Sequence, residues 1–141
     1  MTGSSGRLYT PELLGLAVEL GKFPFDRSAP YRGTAQSRSC GSSLAVSFSQ
    51  PGSGVGIAAT SCAVGQASAA IFAQHCEAVE VSEIGATLAA IEVWLDGAGD
   101  LPSWPRFHML AEARAYPGRH EALMLPWKAA LDALSTVPRA G

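Results

Sequence analysis

Charge is scarce in this chain: 16% of its 141 residues are Asp, Glu, Lys or Arg, ten of them basic and twelve acidic, for a formal net charge of -2. No block of Lys or Arg forms, so nucleic acid and anionic membrane surfaces lack the electrostatic footprint they need. Long apolar runs are missing too, with no stretch of about 18 uninterrupted apolar residues to span a bilayer. The opening MTGSSGRLY carries neither a charged n-region nor an apolar h-region, which leads us to expect a cytoplasmic protein. Cysteine is rare and odd in number, at three. Without a secretion signal, that argues for metal or thiol chemistry over a disulfide framework. No Ser-His-Asp arrangement, phosphate-binding glycine loop, paired acids at a defined spacing or Cys-x-x-Cys motif supports a conventional hydrolase, kinase or oxidoreductase. The expectation is a protein that is not itself an enzyme.

What is present suffices for one compact domain over residues 1 to 141, since 48% of the residues are hydrophobic and a chain of this length buries a real core. Thr10-Pro11-Glu12 supplies a capping hydroxyl, a proline at the first helical position and an acid in the first turn, predicting a helix to about Leu20. Gly21 and Pro24 end it. The stretch to Gly33 reads as loop, with Phe23, Phe25 and Tyr31 packing back on the domain. Leu44, Val46 and Phe48 alternate with small polar residues, and Val55, Ile57 and Ala59 alternate again beyond a Pro51-Gly52-Ser53-Gly54 turn. The simplest reading is a hairpin of strands 43 to 49 and 55 to 60.

From Cys62 the period becomes helical through Val64, Ala67, Ile71 and His75. A third helix is predicted with Ser82 as its cap, carrying Ile84, Leu88, Ile91 and Leu95 and closed by Gly97. Leu101 to Pro105 is a connector, 107 to 114 a short helix, and Leu123, Trp127, Ala130, Leu131 and Leu134 mark a final helix despite Pro126. The fold class that results is α+β, a small antiparallel sheet covered on one face by helices.

Cys62 heads a run of Ala, Ser, Gly and Val. A cysteine at a helix N-terminus meets the positive end of the dipole and unpaired N–H groups, which favour the thiolate. The small residues behind it let the helix approach its neighbours closely and so fix where the sulfur points. Free cysteines are also common as small buried residues, and Cys62 alone does not decide between the two. Cys40 adds weight, because a loop cysteine before one strand and a second cysteine after the next are brought together by the hairpin. Two such thiolates suit zinc or iron-sulfur chemistry. Cys76 lies fourteen residues beyond Cys62, roughly 20 Å along a helix axis, too far to join that site. His75 and Cys76 read as end-of-helix residues, His108 as a surface or partly packed histidine, and the three tryptophans as core or cover.

Arg38-Ser39-Cys40-Gly41, the hairpin, and Ser61-Cys62-Ala63-Val64-Gly65-Gln66-Ala67-Ser68-Ala69 together resemble the iron-sulfur scaffold family of IscU, SufU and the N-terminal domain of NifU. Leu8-Tyr9-Thr10-Pro11-Glu12-Leu13-Leu14 is similar to that family's first helix, and the resemblance runs from about Leu8 to Leu134. The family's site has three cysteines and an aspartate. Cys40 and Cys62 match the first two cysteines, whereas Ser42 stands at the aspartate position and Ala122 at the third cysteine. Glu121 takes the place of a histidine found in IscU-type members, with His120 beside it. The long interval from Cys62 to Ala122 resembles the SufU branch. Where IscU-type members carry Leu-Pro-Pro-Val-Lys for a specialised Hsp70-type chaperone, Ala115-Tyr116-Pro117-Gly118-Arg119 stands here, against delivery by that route.

The resemblance implies a scaffold that accepts sulfur at Cys40 or Cys62 from a cysteine desulfurase, binds iron or a transient iron-sulfur cluster, and passes its cargo to recipient apoproteins. Glu121 and His120 are the added metal-donor candidates beside Cys40 and Cys62, with plain solvated residues at a helix start as the competing reading. Two alternatives stay open: a SufU-like sulfur acceptor whose site zinc organises, and a degenerate member that regulates without binding metal.

Overall fold

A computed structural model describes residues 10–38, 41–77 and 79–135. Helix α1, Pro11–Glu19, begins as the sequence dictates: Thr10 Oγ1 accepts a hydrogen bond from Leu13 N at 3.2 Å, and Leu13 and Leu16 turn inward. A 3-10 turn, Leu20–Lys22, closes it. Three strands follow, β1 Tyr31–Gln36, β2 Ser43–Phe48 and β3 Gly56–Thr60, in the order β1-β2-β3 with both pairs antiparallel. Then come α2, Ala63–His75, and α3, Val81–Leu95, two 3-10 segments, Phe107–Ala115 and Pro117–Arg119, and α4, His120–Ala133.

The β2–β3 hairpin and the α+β layering agree with the sequence reading. Leu44, Val46 and Phe48 face the helices and are buried. Against them lies α4, packed across β1 and β2, while α2 sits between α1 and α4 and α3 lies on α4. Helix α2 is almost wholly buried, from Val64 through Ala73 apart from Gln66. Its run of Ala, Ser and Gly is what allows three neighbours to approach it at once. Ser68 pays no penalty there, because its hydroxyl donates to the Leu123 carbonyl at 2.6 Å. Pro126 is accommodated inside α4.

Two expectations give way. The end of the stretch that reads as loop, from Tyr31 to Gly33, is the start of strand β1, whose inward positions are the partly buried Tyr31 and the small Gly33 and Ala35. Tyr31 is the one large residue on that face, too little for a period-2 signal. Ser82 is not the cap of α3: the helix begins two residues earlier, at Val81, with Glu80 at the capping position and no side-chain cap bond. The connector before the first long 3-10 segment contributes core, as Trp104 stacks on Phe72 at 5.4 Å and donates its indole N–H to the Ile71 carbonyl at 3.0 Å. Trp94 and Trp127 are likewise buried, and His75 and His108 are exposed.

Both outer strands have partners beyond the sheet. The Thr34 N–H on β1 donates to Asp132 Oδ2 of α4 at 2.9 Å, and the Ile57 N–H on β3 donates to the Phe23 carbonyl at 2.7 Å.

Candidate functional site

The site forms where strand register and helix starts converge. Ser43 pairs with Thr60, so the residues just outside the ladder, Ser42 and Ser61, stand opposite one another. Their hydroxyls are hydrogen-bonded at 3.1 Å. One residue on from Ser61, Cys62 occupies the capping position of α2 with extended backbone (φ -68, ψ 171) and no side-chain cap hydrogen bond. Its thiol is half-buried. The Ser61 carbonyl accepts from Gln66 Nε2 at 3.0 Å, bracing the strand-to-helix corner.

Cys40 itself lies outside the described residues, but the hairpin that carries it is defined on both sides. Ser37 N donates to the Ser42 carbonyl at 2.8 Å, closing the neck of the β1–β2 connection, and Gly41 takes a left-handed φ of 72 that favours glycine. Outside that neck, Arg38 N donates to Glu121 Oε1 at 2.9 Å, across 83 residues of sequence.

Helix α4 supplies the third side. Ala122, at the position where the resemblance places a cysteine, is fully buried. It packs on Gly65, where an added Cβ would stand 3.3 Å from the Ala122 methyl and would collide with the Ser61 hydroxyl. Glycine at 65 therefore makes room for the Ser61 side chain beside Cys62 and lets α4 approach closely. Of the two added donor candidates, Glu121 turns toward the Cys40 hairpin, whereas the His120 ring places Nε2 2.8 Å from the Arg114 carbonyl, toward the preceding 3-10 segment.

The donor set decides what this corner can hold. Among the described residues, no three His, Cys, Asp or Glu side chains converge on one metal position. A methyl and a serine hydroxyl bonded to another serine replace two strong donors, so the described residues do not build a four-ligand zinc centre. The sequence singled out Cys62, Ser42, Glu121 and Ala122. It missed Ser61 and Gly65, whose roles follow from register and helix contact and have no motif of their own.

Cys76 is set apart from this chemistry. It ends α2, is fully buried, and its thiol is pushed up to about 12, chiefly by burial and secondarily by the nearby Glu77 carboxylate. Near neutral pH it carries roughly a thousandfold less thiolate than an ordinary cysteine. A maleimide reagent followed by peptide mass mapping should thus modify Cys62 in the native protein and reach Cys76 only in denaturant. Equal labelling of both thiols under native conditions would contradict the buried placement.

No protein-family model matches the sequence, and no curated protein matches it. Solved structures do. A NifU-like protein (N-terminal) from Brucella abortus superposes with a TM-score of 0.82 at 23% identity, covering 94% of this chain and 96% of that one. A protein described as an iron-sulfur cluster assembly scaffold for the SUF system, from Fervidobacterium islandicum AW-1, superposes with a TM-score of 0.78 at 20% identity over 92% of this chain and 98% of that one. The chain thus has the fold of these NifU-like and SufU structures.

Proposed function

We propose that the chain is a scaffold-type protein of iron-sulfur cluster assembly that takes sulfur from a cysteine desulfurase on Cys62 and Cys40, and holds iron or a nascent cluster as cargo before passing it to recipient apoproteins. The observation that carries this reading is the position of Cys62: a half-exposed thiol heading a rigid, buried helix, in register with the hairpin that bears Cys40. Likeness to NifU-like and SufU structures supports it. In the transfer step the Cys62 thiolate attacks the outer sulfur of a persulfide on the desulfurase. A new S–S bond forms at Cys62, the old one breaks, and the desulfurase cysteine leaves as thiolate, with no net oxidation. The chain carries sulfur that another protein has generated, so it is a carrier and not an enzyme.

Cargo metal would draw first on the two thiols. Glu121 and His120 would be secondary donors, each already engaged through one atom in a protein hydrogen bond, and with Ser42 and Ala122 at two of the family's ligand positions the holding is weak, as suits a carrier. The zinc-organised alternative finds less support, because Ser42 and Ala122 stand where two of the four donors of a tetrahedral site would be.

A second reading rests on one observation: Ala122 and Ser42 close the corner with a buried methyl and a serine pair. In it the chain docks on a desulfurase without accepting sulfur. Incubation with a cysteine desulfurase and sulfur-labelled cysteine separates the two. Wild type and Cys76→Ser should retain label after desalting without reductant, while Cys62→Ser loses part of it and the Cys40→Ser/Cys62→Ser protein falls to below about a tenth. Absence of label on wild type, or undiminished label on the Cys40→Ser/Cys62→Ser protein, would overturn the carrier reading in favour of docking alone.

A further inference from the structure

We propose that Gln66 is a positioning residue for Cys62: it holds the peptide units on both sides of the cysteine and so aims the thiol at an incoming persulfide. The proposal deepens the carrier reading and rests on Cys62 as a sulfur acceptor. Cys62 stands where the usual restraints on a backbone run out. Thr60 is the last residue of β3 paired with β2, so the chain leaves the ladder before it reaches the cysteine. At the capping position of α2 the Cys62 side chain makes no cap hydrogen bond, and it is only half-buried. The helix behind it is almost wholly buried and has no such freedom.

Gln66, in the first turn of that helix, supplies the missing restraint. Its side-chain Nε2 donates to the Ser61 carbonyl at 3.0 Å, and its backbone N–H donates to the Cys62 carbonyl at 3.0 Å. The Ser61 carbonyl lies in the peptide plane that contains the Cys62 nitrogen, and the Cys62 carbonyl lies in the plane that follows. With both planes held, the direction of the Cys62 Cα–Cβ bond is held too. The backbone bond is the ordinary helical one, open to any residue here but proline. The side-chain bond needs a donor at the length of glutamine. Ser61 is itself seated on the same turn, its hydroxyl filling the space over Gly65.

Aim matters for one reaction of this thiol and not for another. In transfer from a docked desulfurase, the Cys62 sulfur must line up with the outer persulfide sulfur and the departing desulfurase sulfur, because the new S–S bond forms as the old one breaks. A small alkylating reagent free in solution meets the thiol from whichever side is open. Loss of a brace therefore slows transfer and spares alkylation, whereas loss of a contact with the desulfurase raises KM.

The experiment uses the full chain with Cys40→Ser and Cys76→Ser, which leaves Cys62 as its thiol, and adds Gln66→Met, which keeps the side-chain length and removes the amide. Sulfur transfer from a cysteine desulfurase should show kcat reduced at least about fivefold in Q66M with KM within about twofold of the parent, and iodoacetamide should alkylate both within about twofold of the same rate. A nitroxide attached to Cys62 should give a more mobile spectrum in Q66M, a signature independent of the desulfurase. Circular dichroism confirms the fold, and Gln66→Glu, of the same shape but with no amide donor, should follow Q66M and replaces it where the methionine protein does not fold. The proposal is overturned if kcat is unchanged, if KM rises in place of the fall in kcat, if alkylation slows as much as transfer, or if the nitroxide is no more mobile. A parent that takes no sulfur, with the nitroxide loosened in Q66M, would sink the carrier reading and leave the brace standing.

Discussion

Ser42→Asp combined with Ala122→Cys should turn a weak metal binder into one that keeps close to one equivalent of zinc through desalting. Both positions border Cys62, one through Ser61 and the other through Gly65. A thiolate and a carboxylate there would raise the donor set, with Cys40 and Cys62, to the four that a tetrahedral site requires. Ser42 and Ala122 are both buried, which gives the substitution a second signature. An aspartate at 42 can still accept from the Ser61 hydroxyl but buries a carboxylate, costing on the order of 1 to 3 kcal/mol without metal. Zinc binding at complete sites is worth roughly 10 to 16 kcal/mol. The double variant should therefore melt below wild type in chelator and above it in zinc. If wild type already holds a full equivalent and the variant holds no more, Glu121 or His120 completes the native site, and the weak-holding argument fails.

Gly33→Ala should be among the most damaging single methyl additions in the sheet. Gly33 pairs with Val46 on the face that meets α4. A Cβ there would run into the Ala133 N and the Ala129 carbonyl, and would stand 2.8 Å from the Ala133 Cα. All three are backbone atoms, so no side-chain rotation relieves the overlap and the last turn of α4 must withdraw from β1. That loses packing along the longest interface of the fold, for which about 3 kcal/mol or more is expected. Urea unfolding measures it. A loss within about 0.5 kcal/mol, the range of ordinary surface changes, would show that α4 does not approach β1 as closely as described.

The same glycine explains what could and could not be read in advance. Strands β2 and β3 were legible because Leu44, Val46, Phe48 and Ile57 alternate with smaller residues. Strand β1 was not, because α4 comes so near Gly33 that no side chain fits there, and Tyr31 and Ala35 on the same face make too weak a period-2 pattern. Cys62 and its helix could be read from the local run of small residues. The serine pair could not, because opposing Ser42 with Ser61 requires the register of two strands. Glu121 was noticed as a donor candidate by its place in a resemblance, yet its partner, the Arg38 N–H, lies 83 residues away and a backbone amide leaves no mark in a sequence. Cys40, the segment before Thr10 and the tail beyond Ser135 lie outside the described residues.

The bonds on the outer strands bear on how the protein behaves when concentrated. An open strand edge is a template on which another extended chain can grow, and natural sheets guard theirs. Here Asp132 takes the outward N–H at the centre of β1, and Phe23 takes the one near the start of β3. Exposed Arg32, two residues before Thr34, adds a charge to the first edge. An incoming strand would have to displace an α4 carboxylate on one side or the chain after α1 on the other before it formed a ladder of its own. Strand addition to the folded sheet is hindered at both edges, and growth on the β1 side on heating should follow detachment of α4.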